Sequence, residues 1–394
     1  MLRLKGDDAR LPGFYARLAG VGLLLCIAGV AGFHASGRAA QMSTEQKLDA
    51  LFSSVTKPGE PGLAAIVRDH GKTVFEHGYG VRDLKSQTAI DGKTNFRLAS
   101  VTKQFTAMCV MMLVREGKLR YDETLSEVFP DFPSYGKSVT IGNLLTHTSG
   151  LIDYEGILEK QYPNTPLERI PQIKDAGVLA LMNQQTGTKF PPGTKWEYSN
   201  SGYAVLAMVI EKVSGEPFGK FLHDRIFAPL HMTNTIAYEK GKNEVVNRAY
   251  GNSKTDGAWQ QKDQSPTSAV LGDGGIYSSV EDLAKWDDGL RNHTLLSERD
   301  MRPALIPVLV RGASREAVPT DEKGNKIMYG LGWFLDPYKG HARMYHDGDT
   351  IGFRTTIQRF ISDQLTIIVL CNREDLNPQA LAEQAADIIF AGAK

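Results

Sequence analysis

The chain has 394 residues, 42% of them apolar and 23% charged, with 45 basic and 45 acidic side chains. That composition suits a soluble globular protein with a substantial core, folded as one large domain or two ordinary ones. Zero net charge, without a long run of one sign, gives no electrostatic footprint for nucleic acid or for acidic membranes.

In chain order, the first forty residues do not read as part of a fold. Arg3, Lys5, Arg10 and Arg17 precede the uncharged run Leu18–Phe33, and small residues follow at Ala35, Gly37 and Ala39. Basic, apolar, small is the order of a signal peptide, so residues 1–40 are expected to direct export to the periplasm or the medium. The alternative is a retained signal anchor, with residues 18–33 held in the membrane. Beyond this segment the chain keeps only Cys109 and Cys371, which make neither a metal spacing nor a disulfide framework and read as small buried hydrophobes. None of the nine histidines forms His-Glu-x-x-His, so no metal site is expected.

A helix is expected from Ser43, where Ser43 and Gln46 make a capping-box pattern ahead of Leu48, Leu51 and Phe52. The stretch from Gly62 to Asp83 reads as a β-hairpin turning at Asp69–Lys72. Helical stretches follow at Ser100–Glu116, Ile141–Thr146, Ser201–Val213 and from Ser278, separated by loops rich in Gly, Pro and Asn. Four strand candidates come next: YGLGWFLD, ARMYHDG, FRTTIQRF and QLTIIVLCN; a helix from Pro378 to Phe390 closes the chain. The expected fold is α+β: an antiparallel sheet built from both chain ends, flanked by helices, with a mainly helical insertion. The expected division is an α/β part, 41–99 and 287–394, and a helical part, 100–286. A site belongs in the crevice between them.

Ser-x-x-Lys, a nucleophile–base spacing, occurs three times: Ser54/Lys57, Ser100/Lys103 and Ser134/Lys137. The first ends at Pro58-Gly59 and the third contains Gly136 after Pro133, so neither has a rigid element behind it. Ser100 opens a helix that is apolar nearly all round, hence buried. One turn apart, Ser100 and Lys103 share a face. A lysine on such a helix is costly unless paired or deprotonated, which makes it a candidate base; the plainer reading is a capping serine and a snorkelling lysine. Tyr198-Ser199-Asn200 stands before a second apolar helix, whereas the other Tyr-x-Asn matches, at Tyr162 and Tyr250, lie in loops. His346-Asp347-Gly348, the one His-x-Gly in the chain, falls between two strand candidates.

With these three motifs in order the sequence resembles the serine β-lactamase and penicillin-binding protein superfamily. Within it, the resemblance is to the branch of class C β-lactamases, DD-carboxypeptidases, D-aminopeptidases and family VIII esterases. It runs from about Pro61 to the C-terminus and includes LLTHTSGL (144–151), GGIYSSVEDLAKW (274–286) and YGLGWF (329–334). The resemblance implies an acyl-enzyme on Ser100, with Lys103 and Tyr198 sharing the proton transfers; which is the acylation base stays open. It places Asn200, His346 and Gly348 on the substrate, and the backbone N–H groups of Ser100 and Asp349 in an oxyanion hole. His147 reads as structural. The implied activity is an exported serine hydrolase of esters, or of amides and peptides with small or D-configured acyl parts, without a cofactor. Alternatives are a D-alanyl-D-alanine carboxypeptidase, a class C-like β-lactamase or a slowly deacylating penicillin sensor. Peptidoglycan fragments and β-lactams are thus among the expected small-molecule partners; a membrane is one only if the N-terminal segment is retained.

One departure from the class C pattern is His346, where those enzymes carry a lysine that holds the antibiotic's carboxylate. A neutral imidazole weakens that anchor, while Asp347 and Asp349 beside it could raise its pKa and keep it cationic. The loop Ile152–Gln172, with Tyr154, Tyr162 and Arg169, is expected to line or cover the pocket.

Overall fold

The computed structural model describes residues 42–312 and 315–392; the expected export signal lies outside them. Helix α1 (Thr44–Ser53) starts on the foreseen capping box, with the Ser43 side chain on the Gln46 N–H and the Gln46 side chain on the Ser43 N–H. Strands β1 (Leu63–Asp69) and β2 (Lys72–Tyr79) form the expected hairpin. Its two turn residues, His70 and Gly71, both have positive φ (49° and 74°), the twist that suits a two-residue connection.

Three strands from the other end complete the sheet: β3 (Arg343–Thr350), β4 (Phe353–Phe360) and β5 (Leu365–Cys371). The order is β3-β4-β5-β1-β2, antiparallel throughout, with Leu63 opposite Cys371 where the two chain ends meet. Both faces of the central strands are covered, so β1 and β5 read as continuous apolar runs rather than alternating ones. Leu63, Ala65, Val67, Ile367 and Val369 pack with α1 and the closing helix α7 (Pro378–Gly392). Ala64, Ile66, Ile368 and Leu370 face the other way, into the larger core of the helical part.

That core is organised by α2 (Lys103–Arg115), every residue of which from Lys103 to Leu113 is buried, packed against α5 (Asn200–Ser214). Two shorter helices, α3 (Tyr154–Gln161) and α4 (Asp175–Asn183), stand beside the cleft. Helix α6 (Val280–Arg291) packs on β1 and β5, so the expected boundary at residues 286 and 287 falls inside a helix that supports the sheet.

Two local expectations need correcting. YGLGWFLD forms no regular strand: Tyr329 and Phe334 meet in a single antiparallel bridge around Gly332. Gly332 has φ +79°, and a Cβ there would lie 2.9 Å from the Gln104 Cα, so the chain turns tightly where it touches α2. Ser100 does not open α2 either. Ala99–Thr102 form a 3-10 turn that runs directly into α2 at Lys103. Ala99 sits at φ +49°, an unusual conformation for a residue with a Cβ, held by the Leu98 N–H on the Ile276 carbonyl (2.9 Å). Strain is thus stored immediately before the candidate nucleophile.

Candidate active site

The 3-10 turn and the first turn of α2 bring Ser100 and Lys103 together as their spacing implied: Lys103 Nζ lies 3.1 Å from Ser100 Oγ. Lys103 is fully buried, and no carboxylate among the described residues comes within ion-pair distance of it. Its ammonium donates instead to three oxygens: Ser100 Oγ, Asn200 Oδ1 (2.8 Å) and the Asp273 carbonyl (3.0 Å). Three donors meet three acceptors, which is the condition under which a charge tolerates burial.

The acceptors are themselves fixed. Asn200 is the first residue of α5, capped by Ser199, whose Oγ accepts from the Gly202 N–H (3.1 Å). Asp273 lies in a helical turn, Leu271–Gly274, whose N–H groups at Leu271 and Gly272 donate to the Asp175 carboxylate (2.8 and 2.9 Å). The Asp273 carboxylate in turn accepts from the Tyr154 hydroxyl (2.9 Å).

Tyr198 stands beside the pair, its ring centroid 4.9 Å from Lys103 Nζ. No hydrogen bond ties its hydroxyl to Ser100 or Lys103. The ring is placed by His147, 4.4 Å away between centroids, whose Nδ1 also accepts the Ser199 N–H (3.0 Å). Burial, then the positive charge of Lys103, holds the His147 imidazole well below its usual pKa. It is a neutral scaffold for the Tyr198 segment.

The third motif lies on β3. Gly348 has no room for a side chain: a Cβ would come within 2.2 Å of the Leu98 carbonyl and of Thr355 Oγ1. Thr355 Oγ1 donates to that same carbonyl (2.7 Å), which clamps the sheet to the chain entering the Ala99–Thr102 turn. Asp349 and Ser100 line one hollow, the arrangement an oxyanion hole between them would need.

His346 is 1% exposed, with Nδ1 2.7 Å from the Asp347 carbonyl and Nε2 3.3 Å from the Tyr329 hydroxyl. The neighbouring carboxylates do not face it. Asp347 accepts from Thr356 (2.6 Å) and Asp349 pairs with Arg354 (2.8 Å), because alternate residues of a strand point to opposite faces. Burial, then Lys103, lowers the His346 pKa to about 3, so the ring is neutral at physiological pH, Nδ1–H donating to the Asp347 carbonyl.

The other sequence matches lie elsewhere. Ser54 ends α1, its Oγ on the Leu51 carbonyl (2.7 Å), and Ser134 sits in an exposed 3-10 turn. Cys109 and Cys371 are buried and unpaired. Sequence reasoning missed Glu155, Asp273 and Arg97, which line the same hollow as Ser100. Glu155 accepts from Asn200 Nδ2 (3.2 Å). Burial, then the charge of Asp273, raises its carboxyl to about 7, and burial raises Asp273 to about 6. None of the three falls in a recognisable spacing.

The family model for Beta-lactamase matches residues 45–391, and the chain belongs to that family. It is a serine β-lactamase and penicillin-binding-protein-like hydrolase by family, on the fold those proteins share. A penicillin-binding protein of Bacillus subtilis (strain 168) is 29% identical over 365 residues, 89% of this chain and 77% of the relative. Among solved structures, D-amino acid amidase from Ochrobactrum anthropi SV3 superposes with TM-score 0.73 at 22% identity, covering 89% of this chain and 98% of the other. A penicillin-binding protein from Bacillus halodurans superposes with TM-score 0.70 at 24% identity, covering 87% and 97%.

The neutral His346 has a consequence for stability. Its folded pKa is depressed, so the unfolded chain binds a proton that the folded one refuses as pH falls below about 6.5. Between pH 7 and pH 5 this linkage removes about 2 kcal/mol of stability. Urea unfolding at the two pH values checks it: His346→Asn should lose about 2 kcal/mol less than wild type over that interval. Equal losses would mean that the imidazole is charged in the folded state.

Proposed function

We propose that the protein is an exported serine hydrolase that forms an acyl-enzyme on Ser100 and cleaves esters, or amide and peptide bonds of small or D-configured acyl groups. The observation that carries this reading is the 3.1 Å contact between Ser100 Oγ and a fully buried Lys103 that has no carboxylate within ion-pair distance among the described residues. Lys103 in its deprotonated form, or Tyr198 beside it, would take the serine proton, and the backbone N–H groups of Ser100 and Asp349 would receive the developing oxyanion.

The surroundings favour an acyl part that is apolar and either neutral or cationic. A pocket of about 270 Å³ adjoins the Ser100 hollow, lined by Leu158, Leu167, Ile170, Pro266 and Ile351 with Glu155 and Glu159 among its polar groups. No lysine or arginine lines it, and a neutral His346 offers no charge to a carboxylate. The D-amino acid amidase among the structural neighbours is consistent with such a substrate. A second reading, a D-alanyl-D-alanine carboxypeptidase or β-lactam-binding protein, draws support from the Bacillus subtilis relative's name. The missing cation at His346 counts against it. Export rests on the basic, apolar, small order of residues 1–40.

Turnover of p-nitrophenyl esters and D-amino-acid amides, with intact-mass analysis after a penicillin, tests the assignment. Ser100→Ala should lose at least ~10³-fold in turnover and form no adduct, while Ser54→Ala behaves as wild type. Turnover that survives in a folded Ser100→Ala, or vanishes in a folded Ser54→Ala, would refute it. Rapid ester or amide turnover with an unmodified penicillin favours the first reading; a lasting penicillin adduct favours the second.

A further inference from the structure

The hollow beside Ser100 is too small for an acyl chain. At about 40 Å³ it has room for water beside the oxyanion position, and its walls are polar: Ser100, Asn200, Glu155, Arg97, Asp273 and Asp349. The larger pocket shares Glu155, Thr267, Asp349 and Thr350 with it and supplies the space that an acyl group needs. We propose that this hollow seats the hydrolytic water and that Glu155 is the general base that activates it for deacylation. The inference rests on the reading that Ser100 is acylated.

Three features of the hollow support this role. Arg97 is 3% exposed and places Nε on the Gly274 carbonyl (3.3 Å), but its buried Nη1 has no partner. Arg97 also sets a guanidinium charge in the wall of the hollow, beside the water site. Glu155 is held in place through Asn200, which bridges its carboxylate to the Lys103 ammonium, so base and nucleophile share one rigid connection. The basicity is also suitable. Burial comes first, with Asp273 and Asp153 adding negative charge and Lys103 opposing them, and Arg97 is the other cation in the wall. A carboxyl near pH 7 is half ionised and a far better base than a surface carboxylate.

The step balances as follows. Glu155 takes a proton from the water while the water oxygen bonds to the acyl carbonyl carbon, whose π pair moves to the oxyanion. Collapse restores the carbonyl, breaks the carbon–Oγ bond and releases the carboxylic acid. Ser100 Oγ takes a proton from the Lys103 ammonium 3.1 Å away. Glu155 then gives its proton to solvent and Lys103 regains one, so a water has been added across the ester.

The test is pre-steady-state hydrolysis of p-nitrophenyl butyrate, with acid-quenched intact mass, for wild type and Glu155→Gln, which keeps an acceptor for Asn200. Wild-type deacylation should rise with pH about a midpoint near 7 and level off above it. Glu155→Gln should keep the nitrophenol burst rate, slow steady-state turnover by about 10²–10⁴-fold, accumulate the acyl mass and lose the midpoint near 7. Unchanged deacylation, an unchanged midpoint, or an equal slowing of burst and turnover would overturn the role. If Glu155→Gln does not fold, Glu155→Asp, with its carboxylate withdrawn, must slow deacylation and spare the burst. A wild type that forms no acyl-enzyme at all refutes the acyl-enzyme reading itself.

Discussion

A single buried ammonium, that of Lys103, constrains the rest of this structure. It has no carboxylate partner within ion-pair distance among the described residues, so its stability in the core depends on three oxygens converging from separate parts of the chain. One comes from the turn before α2, one from the first residue of α5 and one from the helical turn at Leu271–Gly274. Losing any of them would leave a charge underhydrated in an apolar helix bundle, at a cost that buried ion pairs put at several kcal/mol. Much of the surrounding architecture serves to hold these oxygens still. Ser199 caps α5, Asp175 takes the N–H groups of the Leu271–Gly274 turn, and Thr355 clamps the sheet onto the chain entering the Ser100 turn.

The same charge orders the ionisation of its neighbours. Histidines at 147 and 346 are buried close to it, and both are held neutral. The carboxyls of Glu155 and Asp273 feel two opposed effects, burial raising their pKa and Lys103 lowering it, and settle at about 7 and about 6. Groups poised near neutrality around a candidate nucleophile are what acid–base chemistry requires, and here burial raises the two carboxyls while the cation holds them back.

Much of this was legible in the sequence because it has local causes. An unbroken apolar helix behind Ser100 distinguishes it from Ser54 and Ser134, whose surroundings are Pro and Gly. The hairpin around His70-Gly71 and the capping box at Ser43 are likewise local patterns, and both are present. What remained hidden is long-range. Glu155 reaches the site through Asn200, 45 residues away in sequence, and Asp273 contributes a backbone carbonyl, which no side-chain pattern encodes. YGLGWFLD looked like a strand because its apolar residues do face a core, but Gly332 turns there to clear α2. The charge of His346 was also undecidable from its neighbours' identities. It depends on burial and on Lys103, and on which way Asp347 and Asp349 point, and they point away.

The most direct test of the Ser100–Lys103 pair is the rate of acylation in Lys103→Met, a substitution of similar length without the charge or the donors. Rapid-quench mass analysis with an activated ester follows the acyl adduct on the protein, and circular dichroism reports whether the variant is folded. The pair predicts a folded protein acylated at least ~10²-fold more slowly than wild type. Acylation of folded Lys103→Met at the wild-type rate would contradict it.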